Sequence, residues 1–127
     1  MTDATQLLRQ VNPQFVENGR PSFLVFRLTK TDNGLLSVSD GDLTTGADSW
    51  KHHTEVLKKK SVGVVAVSFA ECMAEELPPR SDPAPFPEHA VIDCSRHDKA
   101  AYDIKRLILL NHALARDWIY KASPPDA

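Results

Sequence analysis

The longest uninterrupted hydrophobic pattern in the chain lies between Ser61 and Ser68. Four valines, a glycine and an alanine fill these positions, with no polar residue among them. A short apolar run rich in β-branched residues is typical of a strand that is covered on both faces. We therefore expect the segment from Ser61 to Phe69 to be an interior strand, around which the rest of the domain is built.

The opening segment, residues 4–16, carries apolar residues spaced loosely enough to fit either a short helix or a strand. Its pattern does not choose between the two. A break near Asn12 is expected in either case, because Pro13 disfavours the helical conformation of the residue before it.

Two further apolar runs follow, at residues 23–28 and 35–39, and each predicts a strand. The sequence Thr-Asp-Asn-Gly at residues 31–34 lies between them and is typical of a turn. A turn this short predicts that the two strands form an antiparallel hairpin.

A helix is predicted over residues 49–60, where apolar positions recur at helical spacing. Asp48 or Ser49 is suited to cap its first turn. Lys58, Lys59 and Lys60 would then lie at its C-terminal end, where the helix dipole favours positive charge.

Three different elements are predicted after the interior strand: a short helix, a proline-rich loop and a strand. Residues 70–77 are rich in helix formers and predict a turn or two of helix, which Pro78 and Pro79 end. Five prolines between positions 78 and 87 indicate a stiff surface loop and exclude a central strand. Residues 89–95 then predict a strand with Ala90, Ile92 and Cys94 on one face.

The last predicted element is a long helix from Ala100 to Ile119, with Ser95 and Asp98 at the spacing of a capping box. One apolar stripe of this helix is expected to pack on the sheet, with Asn111 in its middle. Its members are Ala100, Ala101, Ile104, Leu107, Ile108, Leu114, Ala115, Trp118 and Ile119.

A second, narrower stripe on the opposite face of the same helix carries aromatic, apolar and basic residues. Aromatic and arginine side chains are common at binding hot spots. The leading functional hypothesis is therefore a non-enzymatic interaction module that binds a protein partner or a second copy of itself through this outer face. The residues predicted to bind are Tyr102, Arg106, Leu109, Arg116 and Tyr120.

These elements predict one α+β domain spanning residues 1–122, with a flexible tail at 123–127. A mainly antiparallel sheet of four or five strands would carry the long C-terminal helix on one face. The helix at 49–60 would lie on the other face or at an edge. The composition, 127 residues with 42% hydrophobic and 25% charged, is that of an ordinary globular protein, which needs no metal or cofactor for stability.

Charge and cysteine content narrow the class of protein. A formal net charge of -2 argues against non-specific binding to duplex nucleic acid, and no apolar run approaches the length of a membrane span. Only Cys72 and Cys94 are present, and a polar sequence follows Met1 in place of a secretion signal. A cytoplasmic protein with reduced thiols, no cofactor and no membrane contact is expected.

Metal binding and thiol chemistry are both disfavoured by the spacing of the residues that would carry them. His89, Cys94 and His97 lie close together in the sequence. However, strand alternation sends His89 and Cys94 to opposite faces, and no Cys-x-x-Cys pair is present. Cys94 also lacks the glycine-flanked turn of an activated nucleophile. We expect no metal site, and Cys94 is interpreted as a small buried apolar residue.

One enzyme hypothesis comes from the order of the elements. Arg9 in the opening segment, the strand at 35–39 before a helix, and the valine-rich strand before another strand resemble, in outline only, small bacterial NAD-consuming ADP-ribosyltransferase-type domains. The catalytic Glu and the ring-stacking Tyr of that pattern are not found at the expected places. The resemblance implies a small enzyme with Arg9, Ser37 and Ser39 as the residues to test, and His89 completes this weak candidate site.

A third hypothesis rests on the basic cluster around Lys58 to Lys60, which also contains Lys51, His52 and His53. Local positive charge can contact a phosphate backbone even in an acidic protein. Contact with nucleic acid is therefore an alternative, although it is not favoured. His53 lies beside Trp50 and Leu57 on the helical projection and is interpreted as a packed histidine.

Overall fold

The computed structural model describes residues 1–29 and 32–123. The strands in this part of the chain are β1 (Gln6–Val11), β2 (Val16–Glu17), β3 (Arg20–Pro21), β4 (Leu35–Asp40), β5 (Gly63–Ser68), β6 (Pro79–Ser81), β7 (His89–Asp93) and β8 (Tyr120–Lys121). The α-helices are α1 (Gly46–Lys51), α2 (Phe69–Ala74) and α3 (Lys99–Arg116). Tighter 3-10 helices lie at Pro13–Phe15 and Phe23–Phe26, and α1 continues as a π-helix over His52–Val56.

Six of the strands form one antiparallel sheet in the order β6-β7-β4-β1-β5-β8, while β2 and β3 pair separately. The α+β class and the long C-terminal helix packed on the sheet are thus confirmed, with six strands where four or five were expected. Residues 124–127, most of the predicted tail, lie outside the described residues. None of the helices described is long and apolar enough to cross a membrane.

The valine-rich segment is an interior strand, as predicted. β5 pairs with β1 over its whole length and with β8 on its other side, from Gly63 to Val64. Val64, Val65 and Val67 are at most 1% exposed. Val65 and Val67 belong to the main core under α3, whereas Val64 packs with Leu8 on the opposite face.

The opening segment is a strand that breaks at Asn12. β1 ends at Val11, and the Asn12 side chain then accepts a hydrogen bond from the backbone N–H of Gln14, which caps the 3-10 helix that Pro13 begins. The break near Asn12 is confirmed. The choice between helix and strand, which the apolar spacing left open, is made by pairing with β4 and β5.

The strand predicted at residues 23–28 is wrong, and so is its hairpin. Phe23–Phe26 is a 3-10 helix whose first turn is capped by Ser22, and it buries Val25 and Phe26. β4 pairs instead with β1 and β7. A short apolar run fits a strand or a buried helical turn equally well, and here the packing against α3 decides. Part of the predicted turn, at 30–31, lies outside the described residues.

The helix predicted at residues 49–60 begins and ends earlier. Thr45 caps it, accepting a hydrogen bond from the Asp48 N–H, and the π-helical turn ends at Val56. Lys58 has a positive φ of 57° and leaves the helix. The three lysines therefore follow the helix and are not its last turn, which corrects the prediction.

The stretch from α2 to β7 largely follows the expectation. Ser68 and Glu71 form a capping box at the start of α2. The proline-rich segment contributes β6, an edge strand, which was not expected but which tolerates proline. The strand predicted at 89–95 is β7, and Cys94 just beyond it is buried.

The long helix is present as α3, but its capping and its end differ from the prediction. Asp98 caps the helix by accepting a hydrogen bond from Ala101, while Ser95 donates one to Asp93. Asp117 has a φ of 69° and ends the helix before Trp118 and Ile119, which lie beyond it.

The orientation of α3 about its axis is opposite to the prediction. Tyr102 and Leu109 are buried against the core, 5% and 0% exposed. Ile104 and Leu107, expected to pack on the sheet, are 65% and 47% exposed, and Asn111 is exposed as well. Helical periodicity assigns residues to faces but does not say which face meets the sheet.

Two sets of polar contacts accompany this orientation. The Tyr102 hydroxyl donates to the carbonyl of Phe26. At the other end of the helix, Arg116 donates to both carboxylate oxygens of Glu71 at 2.9 and 3.1 Å and to the carbonyl of Ala66. These partners lie in segments distant in sequence, and they tether both ends of the face that carries Leu109.

Candidate ligand-binding cleft

The pairing of β1 with β4 ends at Leu8 and Ser39, and Arg9 bridges the two strands just beyond that point. Its Nη1 donates to the carbonyl oxygen of Ser37 at 2.7 Å, and its Nε donates to the carbonyl of Val25 at 2.9 Å. The side chain thus supplies hydrogen bonds where the ladder between the strands stops. A guanidinium has five N–H donors, and contacts with described residues account for two of them.

Arg9 is half-buried, and no carboxylate of the described residues pairs with it. Among the described residues no ion pair includes Arg9, although the charge of Asp32 acts on it from a distance. Burial lowers the pKa of Arg9 below its usual value. An arginine still remains protonated at neutral pH, so a half-buried cation lines this region.

Next to Arg9 is a pocket of about 380 Å³, here called the basic pocket. It brings Arg9 together with two of the lysines that follow the π-helix, and no Asp or Glu is among the described residues that line it. Its lining consists of Arg9, Gln10, Asn12, Phe15, His53, Lys59 and Lys60.

His53 responds to this positive surrounding. Burial, together with the charges of Lys59 and Arg9 and the neighbouring His52 ring, lowers the pKa of His53 to about 4, although a hydrogen bond with the Lys60 backbone acts in the other direction. The ring is therefore neutral at pH 7 and can donate or accept a hydrogen bond. Its interpretation as a packed histidine is confirmed only in part, because the ring also lines the basic pocket.

A larger cleft of about 480 Å³ adjoins the basic pocket and shares Arg9, Gln10, His53 and Lys59 with it. It lies over the exposed side of β4, on the face of the sheet opposite α3. Apolar residues form part of its wall, and Asp32 is its one acidic lining residue within the described chain. The apolar side chains along this wall include Leu8, Leu57, Pro85 and Phe86.

Phe86 brings the proline-rich loop onto this cleft. Its ring lies between the imidazoles of His52 and His89, with centroid distances of 4.4 and 5.2 Å. These contacts join the π-helical turn, the proline-rich loop and β7 around one opening. An aromatic side chain thus lines the same cleft as Arg9 and Lys59.

His89 connects Ser37 to Asp82 through a chain of hydrogen bonds. Its Nδ1 lies 2.9 Å from the backbone carbonyl oxygen of Asp82 and 3.3 Å from the carboxylate Oδ2. Both partners accept hydrogen bonds, so Nδ1 carries the proton. In the neutral ring Nε2 is then an acceptor, and it lies 3.3 Å from the Ser37 hydroxyl oxygen.

The structure brings together the residues of the enzyme hypothesis and separates those of the interaction hypothesis. Arg9, Ser37, Ser39 and His89 all line the cleft. By contrast, the predicted outer face of α3 is turned inward, since Tyr102 and Leu109 are buried.

The other predicted binding residues are engaged within the domain. Arg106 lies over the Phe23 ring, 5.3 Å from its centroid, and within 3.4 Å of Asp103. Arg116 pairs with Glu71, and Tyr120 belongs to β8, where its ring packs on Trp50. These residues do not form one exposed surface.

Sequence reasoning missed Asp82 and Phe86, which the proline-rich loop carries. Lys59 and Lys60 were noted only as possible nucleic-acid contacts. The available signal was a stiff loop that carries an aromatic residue, Phe86, three positions before His89 at the start of β7. Which part of the domain that loop covers depends on the pairing of β6 with β7, and the sequence does not state this pairing.

Metal and thiol chemistry have no evident site. Within residues 1–29 and 32–123, no three His, Cys, Asp or Glu side chains gather closely enough to hold a metal ion. Burial raises the pKa of the Cys94 thiol to about 12, and that of Cys72 likewise. A neutral, buried thiol is a poor nucleophile.

Comparison with protein-family models, with curated proteins and with solved structures found no match.

Proposed function

We propose that the protein binds a small anionic molecule in the cleft beside Arg9. A carboxylate or phosphate group of the ligand occupies the basic pocket, between Arg9 and Lys59, and its apolar or aromatic body lies against Phe86. The observation that supports this most strongly is the half-buried guanidinium of Arg9, which donates to two carbonyl oxygens and has no ion-pair partner among the described residues.

The charge balance of the basic pocket favours an anion. A buried charge is costly unless a counter-charge or several hydrogen bonds compensate it. Arg9, Lys59 and Lys60 all line it, whereas Asp32 lines only the larger cleft and accepts hydrogen bonds from Thr29. Arginine also has the forked geometry that suits carboxylate and phosphate oxygens.

The shape of the larger cleft suits a small organic ligand. Its volume of about 480 Å³ falls within the roughly 300 to 1,000 Å³ that is typical of small-molecule sites. Such sites combine apolar walls with a few polar groups, as the cleft does with Phe86 and Leu57 on one side and Ser37 and His89 on the other.

Calorimetry with inorganic phosphate and with benzoate tests this function. Lys59→Gln should weaken binding by up to about fivefold, because Lys59 is exposed and an interaction between exposed charges is worth roughly 0.2 to 1 kcal/mol. Lys58→Gln is the matched control. It removes the same charge from the neighbouring lysine, which lines neither the cleft nor the basic pocket. Equal weakening by both variants, or no binding to the wild-type protein, would contradict the proposal.

A second candidate function is self-association through the exposed face of α3. Ile104 and Leu107 are large apolar residues on this face, and exposed apolar stripes of a helix often mark interfaces. Asn111 lies in line with them, and its amide can donate to and accept from the same amide of a second copy across a two-fold axis. A second copy of the chain is therefore the occupant that we favour for this face.

A further inference from the structure

Ser37, His89 and Asp82 form an arrangement that ligand binding alone does not require. His89 uses both ring nitrogens, with Nδ1 held by Asp82 and Nε2 facing the hydroxyl of Ser37 at 3.3 Å. A nucleophile, a base within hydrogen-bond reach and a third group that orients the base are the parts of an activated serine.

The sheet positions these groups on one surface. β4 and β7 are paired in the register Ser39 to His89 and Ser37 to Val91, so Ser37 and His89 are diagonal neighbours on the same face. Leu36 and Val38 point to the main core instead. Because Ser37 is exposed at the cleft, its hydroxyl is open to a bound molecule.

We propose that Ser37 is the nucleophile for cleavage of a carboxylic ester whose acyl or alcohol part carries an anionic group. His89 acts as the general base, and Asp82 is a positioning residue that holds the ring. The inference rests on the proposed function, because the basic pocket binds the anionic group and thereby orients the ester toward Ser37.

The reaction balances with water as the only co-reactant. His89 Nε2 takes the hydroxyl proton of Ser37 while Oγ bonds to the ester carbon, and the carbonyl electron pair moves onto its oxygen. That pair then re-forms the carbonyl, the ester C–O bond breaks, and the leaving alkoxide takes the proton from Nε2. Water cleaves the acyl-serine by the same steps, giving an acid and an alcohol and restoring Ser37.

Arg9 is suited to stabilise the negative oxygen of the intermediate. It donates to the backbone carbonyl of Ser37 at 2.7 Å, and its remaining N–H donors are not used by contacts with described residues. The contact holds a positive charge next to the backbone of Ser37, and a cation held in place does not need to reorganise as negative charge develops.

A serine-directed fluorophosphonate and a 4-nitrophenyl hemiester of a dicarboxylic acid test the inference. Intact-mass measurement should show one added phosphonyl group, and peptide mapping should place it on Ser37. Ser37→Ala should abolish both labelling and ester hydrolysis. Ser81→Ala, at an exposed position of β6 that does not line the cleft, is the matched control and should leave both unchanged.

The roles of the other two residues are tested separately. His89→Gln should slow labelling by about 100-fold, the lower range for a general base. Asp82→Asn should lower the rate and change its dependence on pH, since it alters the orientation and the charge next to His89.

Two outcomes would contradict the assignment of Ser37 as the nucleophile. One is labelling of Ser37→Ala at the wild-type rate. The other is absence of labelling in a wild-type protein that still binds phosphate. That result would support the anion site and contradict the ester cleavage. Loss of phosphate binding as well would contradict the proposed function together with this inference.

Discussion

Arg9 Nη1 lies 2.7 Å from the carbonyl oxygen of Ser37, at the point where β1 and β4 stop pairing. This contact gives the guanidinium two roles. It donates a hydrogen bond to β4 where the backbone of β1 no longer does so, and it holds a cation beside the cleft. The stability of the sheet and the binding of an anion are therefore coupled through one side chain.

Replacement of Arg9 should affect stability and binding together. Arg9→Met removes both hydrogen bonds to carbonyl oxygens and should lower the free energy of unfolding by about 2 to 4 kcal/mol. Arg9→Lys keeps the charge but loses the fork, so it should recover only part of this loss. Urea denaturation measures both effects, and wild-type stability for Arg9→Lys would contradict the bridging role.

The stability of the protein should fall in acid partly because of His53. The pKa of this residue is lowered to about 4 in the folded protein, against about 6.5 in the unfolded chain. The unfolded state therefore binds more protons between these values, and the contribution of His53 is constant above pH 6.5 and declines as the pH falls toward 4. The difference in unfolding free energy between wild type and His53→Gln separates the contribution of His53 from that of the other titrating groups.

Thermal or urea unfolding at several pH values measures this difference. The stability of the wild-type protein relative to His53→Gln should decrease between pH 6.5 and pH 4 and stay level above pH 6.5. A difference that does not change with pH would show that His53 titrates normally in the folded protein.

The orientation of α3 can be tested with two leucines two positions apart. Leu109→Ala, at a fully buried position, should cost about 2 to 5 kcal/mol of unfolding free energy. Leu107→Ala, at an exposed position, should change it by no more than about 0.5 kcal/mol. Denaturant titration measures both, and the opposite order would restore the orientation predicted from the sequence.

Self-association through α3 predicts a separate result. Leu107→Glu adds a charge to the exposed face, so it should convert a dimer to a monomer while leaving the thermal midpoint of the monomer nearly unchanged. Sedimentation velocity over a range of concentrations measures the change, with Lys58→Glu as a surface control. A wild-type protein that stays monomeric at the highest soluble concentration would rule out this interface.

The sequence predicted those elements whose patterns allow only one structure. The valine run of β5 and the periodic apolar pattern of α3 are of this kind. The first is too short and too uniformly apolar for a surface helix, and the second is too long for a strand. Phe23–Phe26 was predicted wrongly because four apolar residues suit a strand as well as a buried 3-10 turn. The predicted orientation of α3 was wrong because apolar residues lie on both of its faces. The narrower stripe, which carries Tyr102, is the one that packs on the core, and Phe26 and Glu71 contact that side of the helix.

The candidate site was predictable only in part for a similar reason. Arg9, Ser37 and His89 were selected as candidates, and they do meet in one cleft. Their meeting depends on β4 lying between β1 and β7, a strand order that short-range patterns do not encode. Asp82 and Phe86 join them through a loop whose path follows from β6 at the sheet edge.

Proton NMR of the His53 imidazole with and without phosphate tests the anion site most directly. At pH 5 the ring should be neutral in chloride buffer, because its pKa is about 4. Saturating phosphate at matched ionic strength should raise that pKa by about one to two units, as a nearby opposite charge does, so that at least about half of the rings become protonated. A ring whose pKa is the same in both buffers would contradict the binding of an anion beside Arg9.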